Sequence, residues 1–462
     1  MKRFFSSSSS MTLGSLRSSR RAALRHGIHW NRNVARNATA FQPHYFHPFS
    51  TTTSKTETTS TMTTTMPTTQ QLWDSMTPST RQLAYTIVKS NHCDAPSSTF
   101  NNDNDFKDNV HPRVAISRAI TLMESKHPLK KKQGDLLLTF LLSLHPDSAT
   151  STSINGDDDS TDPPPPGPSL LRVGIAGPPG AGKSTLTEAF GMHLLKRDPT
   201  LKLAVVCIDP SSNVSGGSIL GDKTRMTELS RHERALIRPS STAGVLGGLA
   251  AYTDDVVRLL GCAGYPLVLV ETVGLGQSEI EVTESVDVLV LAIPPSGGDE
   301  LQGVKKGIVE IANILTVTKA DGDLEAAANR TASDYSGALR VLQQISTNVG
   351  HDTNDNKTVW KPPVLLTSSV TLRGLDDLWE AIQNYKEFLL TTNRWSAKRQ
   401  RQAKYWMWKQ FTRMMQARMQ QDPRLATMAK ELETQLVNGC VTPRVAAQQL
   451  LDGFFQHVQQ RP

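Results

Sequence analysis

The chain is 462 residues long, carries a formal net charge of +7 and holds four cysteines. It is too long for one ordinary compact domain, and its most apolar run, LLLTFLLSL at 136–144, is half of the roughly 18 residues a bilayer span requires; this argues against a transmembrane helix and for a core helix. Cys93, Cys207, Cys262 and Cys440 are far apart and form no CxxC pair, which argues against a zinc site or disulfide framework and fits a reducing compartment.

Residues 1–50 contain Lys2, Arg3, Arg17, Arg20, Arg21, Arg25, Arg32 and Arg36, many serines and no acid. That composition suits a mitochondrial transit peptide better than a plain basic tail, and places the expected protein in the matrix. These cations account for the whole positive surplus, so the remainder is near neutral and gives no general reason to expect nucleic acid as a partner. Residues 51–70 form a Thr-rich stretch that reads as an unstructured spacer. A helical region is expected over 71–145. In VHPRVAISRAITLMES (110–125), Val114, Ile116, Ala119, Ile120 and Met123 recur on one face. The polar stretch DAPSSTFNNDNDFKDN (94–109) interrupts that region. Residues 146–168, ending in GDDDSTDPPPPGP, cannot pack a core and read as a linker or insert.

Over 169–392, apolar runs alternate with helical segments: LRVGIAG (171–177), LAVVCID (203–209), LVLVE (267–271), VDVLVLAI (286–293), ILTVTKAD (314–321) and VLLTSS (364–369). Short continuous apolar runs suit strands buried on both faces, so the expected fold is α/β, a doubly wound, mostly parallel sheet. From 393 to 462 the pattern is helical. In TPRVAAQQLLDGFF (442–455), Thr442 stands at the N-cap and Pro443 at the first helical position.

GPPGAGKST (177–185) follows a strand and opens a helix, the context a phosphate-binding P-loop requires. Gly177, Gly180 and Gly182 allow the turn's backbone, with Pro178, Pro179 and Ala181, to wrap phosphate oxygens. Lys183 offers a point charge to the β and γ phosphates, Ser184 a hydroxyl to Mg2+, and Thr185 a further phosphate contact. Three acids follow: Asp209 ends one strand, Glu271 ends another and Asp222 lies in SILGDKTRM. Magnesium takes oxygen ligands and keeps several waters, so Glu271, in a position where Asp is usual, can act through a metal-bound water or orient the attacking one. Asp209 and Glu271 read as site residues; Asp222 reads equally well as a turn residue.

TKAD (318–321) ends a strand where guanine-binding proteins usually carry N-K-x-D. Asp321 is placed to accept from guanine N1 and N2, and the Lys319 stem to pack on the ring. Thr318 stands where the amide of Asn is usual, and its absence is expected to weaken support for the loop or contact with the base edge. Ser368, Ser369 and Val370 follow another buried strand, where a backbone N–H lies near guanine O6. GTP is favoured over ATP.

With these motifs in order, the chain resembles the MeaB / methylmalonic aciduria type A (ArgK-like) family of P-loop GTPases. The resemblance is carried by GPPGAGKSTL, IDPSS, SGGSILGDKTRM, IRPSS, GVLGG, ETVGLGQSE and PPSGGDELQGVKKGIVEIA, and runs over roughly 110–392. It implies GTP/GDP and Mg2+ as ligands, a homodimer formed through the C-terminal helices, and methylmalonyl-CoA mutase as the partner whose adenosylcobalamin it gates and protects. It also implies metal-site roles for Asp209, Asp222 and Glu271, a water-orienting role for Gln277, and a switch loop at 297–307 with Lys305. Asn is the family's usual residue at the position of Thr318.

Residues 389–421 interleave Arg394, Lys398, Arg399, Arg401, Lys404, Lys409, Arg413 and Arg418 with Trp395, Tyr405, Trp406, Trp408 and Phe411, without an acid. The stretch reads as a helix with cations toward solvent and aromatics toward a partner, in preference to an RNA- or membrane-binding helix. Two other functions stay open: a kinase of the ArgK-like type, which needs an acceptor site and a general base, and a nickel metallochaperone GTPase, which needs clustered Cys or His.

Overall fold

The computed structural model describes residues 67–91, 110–125, 127–144, 170–209, 226–241, 252–272, 278–295, 306–349 and 359–459. Outside them lie the basic segment 1–50, most of the Thr-rich stretch, the polar segments 94–109, 146–168 and 351–357, and Asp222, Gln277 and Lys305; the side chain of Asp209 is likewise not described.

Four helices open the described chain: α1 (Thr69–Ser75), α2 (Pro78–Ser90), α3 (Pro112–Met123) and α4 (Pro128–Leu144). Thr68 forms a capping box with Gln71, so α1 begins within the last residues expected as spacer. Thr77 and His111 cap α2 and α3, each with Pro in the first turn. Helix α3 buries Ala115, Ile116, Ala119, Ile120 and Met123. Val114, expected on that face, is instead 43% exposed, because two residues of helix turn it about 200° from Ile116. The apolar run of α4 packs through Leu137, Phe140 and Leu141, and no helix among the described residues is long and apolar enough to cross a membrane.

The helices join the core on one face of a seven-stranded parallel sheet of order β3-β2-β4-β1-β5-β6-β7. Its strands are β1 (Leu171–Ala176), β2 (Leu203–Asp209), β3 (Ala235–Ser241), β4 (Leu267–Glu271), β5 (Val288–Ile293), β6 (Ile314–Val317) and β7 (Val364–Leu366). The connecting helices are α5 (Lys183–Arg197), α6 (Thr227–Arg231), α7 (Thr253–Cys262), α8 (Ser278–Thr283), α9 (Lys306–Ile311) and α10 (Glu325–Val349). Side chains alternate between two cores. Val173, Ile175, Val205 and Leu269 meet α5, while Ala204, Val206, Val268 and Val270 meet the face covered by the N-terminal helices and α7.

Strand β3 is absent from the apolar runs of the sequence because ALIRPSS is polar and contains Pro239. Among the described residues it pairs only with β2, and a sheet edge tolerates both features. Strand β6 stops at Val317, short of the run to 321, as Lys319 turns to φ 54°.

Four further helices follow: α11 (Leu375–Thr391), α12 (Arg394–Gln421), α13 (Pro423–Val437) and α14 (Pro443–Gln459). Thr442 caps α14, its hydroxyl 3.4 Å from Val445 N. The first half of α12 corrects the expectation of outward cations: it grips the chain's own core. The buried pair Arg172–Asp287 is bidentate, at 2.7 and 3.2 Å, and Arg399 adds a second guanidinium at 3.0 Å. Gln402 accepts from Arg172 at 2.7 Å and donates to Thr283 O and Val286 O; Trp406 donates to Glu284 O. Trp395 and Trp406 are buried, whereas Met407, Trp408, Phe411 and Met414 are exposed, Trp408 by 58%.

Burial alone would raise the Asp287 carboxyl, but Arg172 and Arg399 hold it well below the usual carboxylate range. An aspartate in the unfolded chain titrates near 3.9, at about pH 4. The pair's stabilisation is therefore full above that pH and is lost as the pH falls through the depressed folded value. Asp287→Ala, which removes the carboxylate that two cations share, should lower stability by about 3–5 kcal/mol in denaturant unfolding at pH 7. The gap to the parent protein should narrow below about pH 4.

Candidate functional site

The site lies at the carboxyl ends of the strands around β1, where the chain order reverses direction across the sheet. Strand β1 ends at Ala176 and α5 begins at Lys183, with the turn 177–182 between them. A Cβ on Gly177 would lie 2.2 Å from Ala292 O of β5, so only glycine lets the turn leave the sheet there. Gly180 and Gly182 have φ of 80° and 79°, the left-handed region that glycine enters without cost from a Cβ. Gly182 is the N-cap of the 15-residue helix α5 and provides no side-chain cap, so the amides of the first turn remain an anion-binding feature.

Lys183 is 7% exposed, and its ammonium reaches back over the turn to Gly177 O at 3.0 Å and Pro178 O at 3.1 Å. A positive charge is thereby held over the glycine turn. Ser184 donates to Glu271 Oε1 at 2.5 Å. Glu271 ends β4 between β1 and β2, aligned with Ile175 and Cys207, and is 7% exposed. The backbone of Asp209 ends β2 at the same edge of the sheet. Ser184 and Glu271 are hard oxygen donors in contact with each other beside the phosphate turn, a donor set that fits Mg2+. No group of three or more metal-binding His, Cys, Asp or Glu side chains occurs among the described residues.

On the other side of the turn stand the residues expected to read the base. Thr318, 3% exposed, donates its hydroxyl to Ala181 O at 2.7 Å, with Ile293 O at 3.2 Å as a second acceptor. Lys319 donates to Gly180 O at 2.9 Å. Ser368 donates to the Asp321 carboxylate and accepts from Val370 N and Thr371 N at 3.2 and 3.0 Å. Ser368 N donates to Arg373 O at 3.0 Å, so of the two serines expected to offer an amide to guanine O6, Ser368 has its own amide engaged.

Thus Gly177 through Thr185, Glu271, Lys319, Asp321, Ser368, Ser369 and Val370 converge on one edge of the sheet. Two roles escaped the sequence. Thr318, where the missing amide was expected to weaken support for the loop or contact with the base edge, ties the loop to the turn through its hydroxyl. Ser368, expected to offer an amide, orients Asp321 through its side chain. The available signal was a small hydroxyl residue just past each strand, Thr318 directly after β6 and Ser368 two residues after the half-buried β7.

Residues 166–424 match the family model described as "Methylmalonyl Co-A mutase-associated GTPase MeaB". The chain is similar to the "Methylmalonic aciduria type A homolog, mitochondrial" of Mus musculus, with 39% identity over 342 residues, 74% of this chain and 76% of that protein. It is similar to a probable GTPase of Mycobacterium bovis, with 40% identity over 340 residues, 74% of this chain and 91% of that one. Among solved structures it resembles one titled "Crystal structure of LAO/AO transport system kinase", with a TM-score of 0.53 and 29% identity, over 81% of this chain and 98% of that one.

Gly177→Ala should push the turn off Ala292 O, lowering stability by about 1–3 kcal/mol. GDP should raise the thermal midpoint of the parent protein and leave that of the variant unchanged, as read by differential scanning fluorimetry.

Proposed function

The chain belongs to the family of methylmalonyl-CoA mutase-associated GTPases and is a GTP hydrolase, and from that premise we propose that it acts as a switch and chaperone for adenosylcobalamin-dependent methylmalonyl-CoA mutase, gating cofactor loading and protecting the cofactor. The observation that carries the nucleotide half of this reading is the convergence of Lys183, the Ser184–Glu271 pair and Asp321 around one glycine turn. The partner half is supported by the family's description and by the name of the mouse relative, which also supports a mitochondrial location; the basic segment 1–50 adds the matrix.

In the proposed reaction, water attacks the γ-phosphate in line and GDP leaves. The amides of the turn and the Lys183 ammonium stabilise the charge that develops on the phosphate oxygens. Ser184 and Glu271 would hold Mg2+, joined by Asp209 and Asp222, and the bound metal supplies further neutralisation of the β and γ oxygens. Asp321, fixed by Ser368, accepts from guanine N1 and N2, a pairing adenine cannot offer. Gln277 is assigned to orient the water, and Lys305 to the loop that answers to the mutase.

The exposed apolar residues Met407, Trp408, Phe411 and Met414 on α12 support a homodimer formed through the C-terminal helices.

Steady-state phosphate release should show GTP preferred over ATP, and should accelerate when methylmalonyl-CoA mutase is added. Phosphate should go to water and to no small acceptor, which separates this reading from a kinase. Asp321→Ala should remove most of the preference for GTP, an effect of roughly 100-fold or more on relative kcat/KM. Equal rates with both nucleotides and no response to the mutase would overturn the proposal.

A further inference from the structure

Thr318 stands where the relevant motif ordinarily carries an amide side chain, and its chemistry limits what it can do for a base. A threonine hydroxyl has one hydrogen to donate. Here that hydrogen points at main-chain carbonyls, Ala181 O at 2.7 Å and Ile293 O at 3.2 Å, neither of which can donate in return. The side chain is 3% exposed, and Ala181 is fully buried. Turning the hydroxyl toward a nucleotide would leave the Ala181 carbonyl without this donor in a dry setting, at a cost that a bond to the base would only replace.

We propose that Thr318 is a positioning residue that fixes the base-reading segment to the phosphate turn, and that the site consequently recognises guanine without a Thr318 contact to N7, so that it accepts guanine nucleotides altered at that atom. This inference rests on the guanine reading above and deepens it. Guanine presents acceptors at N7 and O6 along one edge and donors at N1 and N2 along another. Asp321, oriented by Ser368, reads the donor edge. The Ser369 amide is left for O6. Lys319 extends to Gly180 O at 2.9 Å from a residue with φ of 54°, so its stem lies beside the turn and its head is directed to that carbonyl. On this assignment none of these groups serves N7. The tether also explains how a strand that ends at Val317 keeps Lys319 and Asp321 in register with the turn: Thr318 N donates to Ile293 O at 2.8 Å while its hydroxyl crosses to Ala181, joining β5, β6 and the turn at one residue.

The test is a binding series on the full chain with Mg2+, using GDP, 7-deaza-GDP, IDP and ADP. The 7-deaza nucleotide replaces N7 by C–H, and IDP lacks the 2-amino group. The expected result is 7-deaza-GDP within about twofold of GDP and IDP weaker by roughly tenfold or more. A loss of fivefold or more for 7-deaza-GDP would overturn the inference and leave the guanine reading intact. Equal binding of GDP and ADP would overturn the guanine reading itself. For the tether, Thr318→Val should weaken GDP and 7-deaza-GDP by the same factor, roughly tenfold, and Thr318→Ser should restore both. Parent-like affinity in Thr318→Val, or failure of Thr318→Ser to restore binding, would overturn the positioning role.

Discussion

Two carbonyl groups of the glycine turn, those of Gly180 and Ala181, are held by donors from the segment after β6, and the rest of the site is arranged around that joint. In a trans peptide the C=O and N–H point in opposite directions. Holding Ala181 O against Thr318 therefore turns Gly182 N–H the other way, at the head of α5. On the opposite side, Gly177 passes so close to Ala292 O that β5 fixes where the turn begins. The glycine turn is thus clamped from β5 and from the loop after β6.

The side of Ser184 and Glu271 is built differently. Ser184 and Glu271 meet across β1 and β4, each at the end or start of a regular element, so the sheet itself sets their distance. Beyond Glu271 the chain enters α8, whose end is gripped by α12: Gln402 donates to Thr283 O, Trp406 to Glu284 O, and Arg401 pairs with Glu284 at 3.3 Å. The Arg172–Asp287–Arg399 network lies under this grip, at the starts of β1 and β5. The C-terminal helices are therefore anchored to the element that follows Glu271, while the second half of α12 presents its apolar residues outward.

Much of this was legible in the residues. The apolar runs located six of the strands: β1, β4, β5 and β6 are buried throughout, as continuous apolar sequence implies, whereas β7, expected to be buried, is half-buried at the sheet's far end. The P-loop was legible because glycine, lysine and hydroxyl positions are each required by backbone conformation or phosphate chemistry. The seventh strand was not, since an edge position relaxes both polarity and the bar on proline, as Pro239 shows. Val114 misled because its period fits the helix only approximately. The buried Arg172 was visible in LRVGIAG as a charge inside an apolar run, a sign that a partner must exist, but only the fold identifies Asp287 and Arg399 as that partner set. The role of Thr318 was hidden for a related reason: the motif names the side chain by its usual contact with the base, whereas the hydroxyl here serves the turn.

Calorimetric titration of GDP into the purified chain and into Lys183→Ala, each with Mg2+ and with a chelator, tests whether one glycine turn, with Lys183 above it and Ser184 and Glu271 beside it, grips the phosphates of a guanine nucleotide together with Mg2+. Affinity should strengthen with Mg2+ in the parent protein and fall by roughly 30-fold or more in the variant. Undiminished affinity in Lys183→Ala, or indifference of the parent protein to Mg2+, would contradict it.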